Sequence, residues 1–321
     1  MRVRRLSTLL NQTGALPLSA PVYDSRCRQV SFFSRALGFR KSFYIYVPPD
    51  LGRNERVPTL YLLRGHEREW VNKREDATRG DANIIDIYER LRTAGQVGPL
   101  VLVFPGLASD DNRVPGLLVN MRAPERARGV VGVGRGRFEE YFFDELIPFV
   151  DARFPTTSRG RGRGIVGFSL GGAMAIKAAA QRPHMFATAS AYDGTFLYAE
   201  DGGRRVRAAD PVLHNPMFDA AFGVPRDLRF VADSSASNLI LRARAAALRR
   251  VTWMISYGPE HQEPWQANFY RGEHLLGCLR QHGIDNALPF AAFPNGDHTW
   301  RTADAVMKLT LPLHDRVFRR A

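Results

Sequence analysis

The sequence predicts an α/β fold in which a mostly parallel central sheet is covered by helices on both faces. Two patterns support this prediction. Short, continuous apolar runs recur along the chain, as is typical of strands that are buried on both faces. Segments with helical spacing of apolar residues lie between these runs. Strands that alternate with helices form parallel sheets, because each helix carries the chain back to the same end of the sheet.

The alternation begins near residue 30 and continues to about residue 313. Strands are predicted over residues 30–33, 42–47, 59–63, 100–104, 164–168, 186–192, 251–257 and 288–293. Helices are predicted over residues 82–91, 138–154, 170–181, 264–282 and 299–313. Residues 107–137 are rich in glycine, arginine, asparagine and proline. They predict a long irregular loop of the kind that is usually functional or mobile.

The domain organisation follows from the same patterns. The chain has 321 residues, of which 45% are hydrophobic, so it can build one large core. Residues 1–25 show no clear periodicity, and we expect an N-terminal arm there. Residues 26–321 are expected to form a single α/β domain. Within it, residues 193–250 mix helical and loop patterns, which favours a cap-like insertion.

The net charge of +13 comes almost wholly from arginine, because the chain has only four lysines. The arginines are spread along the sequence and no basic helix is interleaved with aromatic residues, so a solvated surface is favoured over nucleic-acid binding. No apolar run approaches the roughly 20 residues that cross a bilayer. The basic start is followed by a stretch too short and polar for a secretory signal. We therefore expect a cytoplasmic protein without a membrane span.

Cofactor and metal chemistry have little support in the sequence. The two cysteines, Cys27 and Cys278, do not form a C-x-x-C pair, which favours independent thiols. The histidines near the C terminus lack the cysteine partners and spacing of a zinc site. A G-x-G-x-x-G pattern at residues 162–167 precedes and overlaps a predicted strand, whereas a dinucleotide site requires it to follow one. We expect no cofactor and no metal.

The strongest functional signal lies at residues 167–172, which read GFSLGG. They fit G-x-S-x-G between a predicted strand and a predicted helix, which is the context of the nucleophile elbow in the α/β-hydrolase fold. The flanking glycines allow a tight turn that holds Ser169 in a strained conformation. The N–H of Leu170, at the start of the helix, then points to where an oxyanion would form. We predict Ser169 as the nucleophile and Leu170 as an oxyanion-hole residue.

A serine nucleophile needs a base, and in this fold the residues follow the order serine, acid, histidine. His298 is the best placed of the eight histidines, because it lies between a predicted strand end and a predicted helix start. The acid should follow the strand at residues 251–257, where Glu260 and Glu263 are both candidates. Pro264 is a good first helical residue and would fix the direction of Glu263. The spacing leaves both glutamates open.

A second oxyanion donor should come from the loop that follows the strand at residues 59–63. This loop reads Arg64-Gly65-His66. We predict the N–H of His66 as the donor, although an ordinary turn would have the same pattern.

These motifs resemble the Putative esterase family of α/β hydrolases, which includes feruloyl esterases, S-formylglutathione hydrolases, siderophore esterases and mycolyltransferases. The resemblance runs from about residue 30 to residue 313. It is carried by five segments at residues 44–49, 61–66, 145–148, 167–172 and 297–300. Siderophore esterases have a glutamate in a Glu-Pro setting at the acid position, so the resemblance favours Glu263 over Glu260.

The chain departs from the family pattern at two places. Members often have Asp-Gly in the oxyanion loop, where this chain has Arg64-Gly65. Many members have an acid in a Gly-x-x-Asp pattern, and the fourth position here is His261.

The expected function is that of a serine esterase acting on a small-molecule carboxylic ester. Ser169 would form an acyl-enzyme, His298 would transfer the proton and Glu263 would orient the imidazole. Acyl transfer to an acceptor other than water would use the same residues. A non-catalytic binding protein on the same scaffold is a further alternative, because a fold does not fix a function. A homo-oligomer is left open.

Overall fold

The computed structural model describes residues 23–80, 82–264 and 266–320. The predicted N-terminal arm therefore lies outside the described residues except for its last three positions. Within the described ranges, no helix is both long and apolar enough to cross a membrane. Cys27 and Cys278 are buried free thiols, so the prediction of independent cysteines is confirmed.

A seven-stranded sheet forms the centre of the domain. Its strands are β1 (Arg28–Ser34), β2 (Phe39–Tyr46), β3 (Thr59–Leu63), β4 (Val101–Pro105), β5 (Arg163–Phe168), β6 (Thr188–Tyr192) and β9 (Thr252–Ser256). The spatial order is β1-β2-β4-β3-β5-β6-β9. Strands β1 and β2 pair antiparallel, β2 runs antiparallel to β4, and the remaining strands are parallel to one another. The predicted α/β class with a mostly parallel sheet is confirmed.

Helices cover both faces of this sheet. One face carries three helices, α2 (138–153), α3 (Leu170–Gln181) and α8 (Phe269–Arg280). Helix α2 consists of three consecutive segments, Phe138–Glu140, Tyr141–Leu146 and Ile147–Arg153. The other face carries α1 (Ile84–Thr93) and α9 (Trp300–Arg319). The central part of α2 is a π-helical turn that ends just before Pro148, which has no backbone N–H to continue a regular ladder.

The strand predicted over residues 288–293 does not form. Only an isolated parallel bridge joins Tyr257 to Ala292. The Tyr257 N–H donates to the Ala291 carbonyl at 3.0 Å, and the Phe293 N–H donates to the Tyr257 carbonyl at 2.7 Å. Pro289 cannot donate to a ladder, which limits the pairing. The short bridge still holds the following turn beside the carboxyl end of β9.

The predicted cap-like region lies between β6 and β9. It contains β7 (Ala199–Glu200), β8 (Arg205–Val206), α4 (Asp219–Phe222), α5 (Leu228–Ser234), α6 (Ala236–Arg242) and α7 (Ala245–Leu248). Its apolar side chains form a separate cluster that includes Leu170, the first residue of α3. The insertion therefore packs against the N-terminal turn of α3.

Residues 107–137 form a long loop whose only helical segment is a 3₁₀ turn at Pro124–Ala127, as the composition predicts. Two of the four lysines of the chain hold it. Lys41 is 2% exposed, and its Nζ donates to the carbonyls of Ala108 at 2.6 Å and Gly132 at 3.2 Å. Lys177 is 3% exposed, and its Nζ donates to the Leu118 carbonyl. Buried cations thus fix a segment that has no regular backbone pairing of its own.

The N-terminal turn of α3 makes a testable prediction for stability. A Cβ on Gly171 would lie 2.0 Å from the Leu63 carbonyl oxygen. We expect Gly171→Ala to lower the free energy of unfolding by about 2 kcal/mol, because the backbone of β3 cannot move away freely. Denaturant unfolding followed by circular dichroism measures this change.

The control is Gly277→Ala in α8, where the nearest atom to a new Cβ is 3.9 Å away on the flexible side chain of Arg280. Alanine favours helix, so this variant should gain about 1 kcal/mol. Equal effects of the two substitutions would contradict close packing between β3 and α3.

Candidate active site

Ser169 lies at the sharp turn between β5 and α3. Its φ of 58° and ψ of −123° fall in a region that is costly for a residue with a side chain. The turn is crowded on both sides. A Cβ on Gly167 would lie 2.0 Å from the Gly171 carbonyl oxygen, and a Cβ on Gly171 would lie 2.0 Å from the Leu63 carbonyl oxygen. Neither glycine of the motif can therefore be replaced by a residue with a side chain without a backbone shift. The G-x-S-x-G pattern is therefore a requirement of the backbone.

His298 contacts Ser169 as the sequence predicts. Its Nε2 lies 2.9 Å from the Ser169 Oγ. The imidazole packs beside Phe168, with ring centroids 4.9 Å apart. The Tyr192 hydroxyl donates to the Asp297 carbonyl at 2.6 Å, which fixes the turn that carries His298. The pair identified from the sequence is thus in hydrogen-bonding contact.

The carboxylate that meets His298 belongs to Asp193. Its Oδ2 is hydrogen-bonded to the imidazole Nδ1. Asp193 directly follows β6 with a φ of 48°, and its side chain is fully buried. The Gly258 N–H donates to Oδ1 at 3.1 Å, and the Asn268 N–H donates to the same oxygen at 2.8 Å. These donors supply the hydrogen bonds that a buried carboxylate requires.

Glu263 and Glu260, the two acids considered from the sequence, have different partners. Glu263 accepts the Tyr270 N–H at 3.2 Å, at the first turn of α8. Glu260 bonds to the Tyr270 hydroxyl. Helix α8 begins at Phe269, so Pro264 is not its first residue and does not direct Glu263 toward His298. The assignment of Glu263 as the partner of His298 disagrees with this geometry, because its carboxylate caps a helix.

The His66 N–H, predicted as an oxyanion donor, is also engaged. It donates to the Glu69 Oε1 at 2.7 Å. The same carboxylate oxygen accepts the Asn112 side-chain amide at 3.2 Å. Burial, with Arg68 and Lys41 nearby, lowers the pKa of the His66 imidazole to about 3, so the ring is neutral near pH 7. The His66 N–H is therefore already bonded to a carboxylate, which disagrees with its predicted role as an oxyanion donor.

Leu170 occupies the predicted place at the start of α3. The first N–H groups of a helix have no acceptor within it, and the helix dipole makes this end favourable for negative charge. Ser169 is the N-cap and makes no side-chain hydrogen bond to the helix, so its hydroxyl is left to His298.

Sequence reasoning missed Asp193 and its partner Asn268. A signal for Asp193 was present, because Asp193-Gly194 directly follows a predicted strand and lies between Ser169 and His298 in chain order. No comparable signal marked Asn268. It lies in the irregular segment before α8, and its side-chain amide donates to the Asp193 Oδ2 at 3.2 Å.

The model of the family described as Putative esterase matches residues 34–301, which is most of the chain. The chain belongs to this esterase family. The resemblance found in the sequence is thereby confirmed, and the family is one of carboxylic ester hydrolases.

Among curated relatives of this esterase-family chain, Esterase Rv1288 of Mycobacterium tuberculosis (strain ATCC 25618 / H37Rv) is 27% identical over 281 residues. The match covers 86% of this chain and 55% of the relative. The chain therefore spans about half the length of this curated relative.

Two solved structures share the fold of this esterase-family chain. A ferulic acid esterase superposes with a TM-score of 0.65 at 19% identity, covering 92% of this chain and all of the other. An S-formylglutathione hydrolase from Agrobacterium tumefaciens gives a TM-score of 0.61 at 19% identity, covering 94% of this chain and all of the other. The predicted α/β-hydrolase fold is confirmed.

The contact between Asp193 and His298 makes a prediction that does not depend on turnover. A charge-assisted hydrogen bond from Nδ1–H to a carboxylate deshields the proton strongly. We expect a far-downfield proton resonance that Asp193→Asn and His298→Gln both abolish. Glu263→Gln is the matched control and should leave it in place. Loss of the resonance in Glu263→Gln alone would contradict the contact described here.

Proposed function

We propose that this chain hydrolyses carboxylic esters through an acyl-enzyme on Ser169, with His298 as the base and Asp193 as the acid. The observation that carries the proposal is the continuous hydrogen-bonded path from Asp193 through both imidazole nitrogens to the Ser169 Oγ. The chain order of the three residues is serine, acid, histidine, as in other enzymes of this fold. Membership of an esterase family agrees with the reaction type.

In the first step, the Ser169 Oγ attacks the ester carbonyl carbon while the His298 Nε2 takes the hydroxyl proton. Negative charge develops on the carbonyl oxygen near the Leu170 N–H, at the positive end of the α3 dipole. The bond to the leaving alcohol then breaks, and the alcohol oxygen receives the proton from Nε2. The products of this step are the free alcohol and an acyl group esterified to Ser169.

In the second step, a water molecule attacks the acyl carbonyl while Nε2 accepts one of its protons. Collapse of the second tetrahedral intermediate returns this proton to the Ser169 Oγ and releases the carboxylic acid. During both steps the imidazole is transiently protonated. The Asp193 carboxylate stabilises that form and holds Nδ1 in the required orientation.

Access to Ser169 requires local movement. Ser169 and Asp193 are both fully buried, and the side chain of His298 is 7% exposed. Neighbouring side chains must therefore shift before an ester carbonyl can reach the Oγ. Such opening steps are common in enzymes whose chemistry benefits from the exclusion of water.

The serine role is tested by Ser169→Ala. We expect this variant to lose about 10⁴-fold or more in turnover of p-nitrophenyl acetate, because the group that forms the acyl-enzyme is gone. A fluorophosphonate probe should label the wild-type protein at Ser169 and leave the variant unlabelled. The control is Ser158→Ala at an exposed serine outside the site. Unchanged turnover in Ser169→Ala would refute the proposal.

The acid role is tested by comparing Asp193→Asn with Glu263→Gln and Glu260→Gln. Each change replaces a carboxylate with an amide of the same shape. We expect Asp193→Asn to lower kcat by about 10²–10⁴-fold, because an amide cannot stabilise the protonated imidazole. The two glutamate variants should stay within a few-fold of wild type. A larger loss in Glu263→Gln than in Asp193→Asn would restore the assignment that the sequence favoured.

A further inference from the structure

An apolar cavity of about 50 Å³ lies beside the N-terminal turn of α3. Three parts of the chain form its walls: one side of α3, residues 117–119 of the long loop, and the insertion between β6 and β9. Phe218 and Phe222 of the insertion stand edge to face, with ring centroids 5.9 Å apart, and both line the cavity. The composition of these walls suits a hydrocarbon group.

The cavity adjoins the backbone of Ser169. Leu170, the next residue in the chain, forms part of its wall, and so does Thr195. The Thr195 N–H donates to the Ser169 carbonyl at 3.2 Å. The cavity therefore lies beside the backbone of the serine that would carry the acyl group.

The position of His298 determines which part of an ester would enter. The leaving oxygen must receive its proton from the His298 Nε2, so the alcohol lies on the histidine side of Ser169. The described residues that line the cavity end at Ala236, and none comes from the segments around Gly258, Asn268 or His298. The cavity thus shares no described lining residue with the segment that carries His298, which favours the acyl chain over the alcohol as its occupant.

The volume of the cavity can be compared with the size of that chain. An engineered apolar cavity of about 150 Å³ accommodates benzene, which corresponds to roughly 25 Å³ for each carbon atom. A cavity of about 50 Å³ then holds about two carbons beyond those next to Ser169. We propose that the cavity is the acyl-binding site and selects short, unbranched acyl groups from acetyl to butyryl. This inference rests on the proposed acyl-enzyme on Ser169.

The wall formed by the long loop is held in place. Leu117 and Leu118 have φ angles of 49° and 52°, which residues with side chains adopt only when their surroundings impose them. The buried Lys177 Nζ bonds to the Leu118 carbonyl and lies 2.6 Å from a carboxylate oxygen of Glu139. Because Lys177 belongs to α3, this contact ties the loop to the helix that begins after Ser169. The cavity can therefore discriminate by length, since its wall does not yield easily.

Two substitutions change the cavity in opposite directions. Ala173→Leu on α3 adds three carbons to its wall, so kcat/KM for p-nitrophenyl butyrate should fall about tenfold or more relative to the acetate. Leu117→Gly removes a side chain at a φ of 49° that glycine adopts readily, so the backbone is not strained further. In this variant kcat/KM for the hexanoate should rise about tenfold relative to the butyrate.

The experiment measures kcat/KM for p-nitrophenyl esters from acetate to octanoate in wild type and in each variant. The matched control is Ala246→Leu, which adds the same side chain at an exposed position of α7 outside the cavity. Circular dichroism and Tm identify any variant that fails to fold. If Ala173→Leu does not fold, Leu117→Gly carries the test.

The expected result is a wild-type profile that falls steeply beyond butyrate and shifts in opposite directions in the two variants. A flat profile, or a profile that both variants leave unchanged, would overturn the acyl-site inference while acetate turnover still supported the proposed esterase. The same variants can be measured on acetate esters of alcohols of increasing length. If the two substitutions change the kcat/KM preference for the alcohol, the cavity binds the leaving group, and the acyl-site inference is overturned. Absence of acetate turnover, together with absence of fluorophosphonate labelling, would remove the proposed function itself.

Discussion

The buried carboxylate of Asp193 holds together the segments that surround Ser169. It bonds to the Gly258 N–H after β9, to Asn268 before α8, and to His298 before α9. These segments follow Asp193 by 65, 75 and 105 residues, and none of them is regular helix or strand at the point of contact. A buried carboxylate is costly unless donors surround it. The requirement to satisfy one anion therefore fixes three irregular segments and, through His298, the environment of the Ser169 hydroxyl.

The sequence predicted Ser169 and His298 because their signals are local. The glycines around Ser169 are required by crowding between β5, α3 and β3, and the turn before His298 is evident from its composition. The carboxylate that meets His298 has a less specific signal, Asp193-Gly194 after a predicted strand, because its identity depends on which strand end faces His298. The order of the strands pointed to the segment after β9, and the family resemblance favoured Glu263 within it, although the Gly-x-x-Asp pattern has His261 in its fourth position. A carboxylate at the end of β6, the strand next to β5, reaches the same imidazole.

Elsewhere in the chain, too, features encoded by local sequence patterns were predictable, and features that depend on tertiary contacts were not. Buried strands and amphipathic helices were predictable from periodicity, whereas the π-helical turn before Pro148 and the missing strand at residues 288–293 depend on proline chemistry within longer patterns. The course of the long loop could not be predicted at all. It follows from Lys41 and Lys177, two lysines on a strand and a helix that bury their ammonium groups against loop carbonyls.

The proposed chemistry and the proposed substrate selection lie in different parts of the molecule. Ser169 follows β5, and Asp193 follows β6. His298 follows the segment that is bridged to the end of β9. These strands belong to a sheet whose fold is shared with solved esterases at 19% identity. The cavity walls come from one side of α3 together with the long loop and the insertion. A change in either segment can alter the acyl pocket without moving the sheet. Family membership supports the reaction type, while the acyl preference has to be inferred from the residues of this chain that line the cavity.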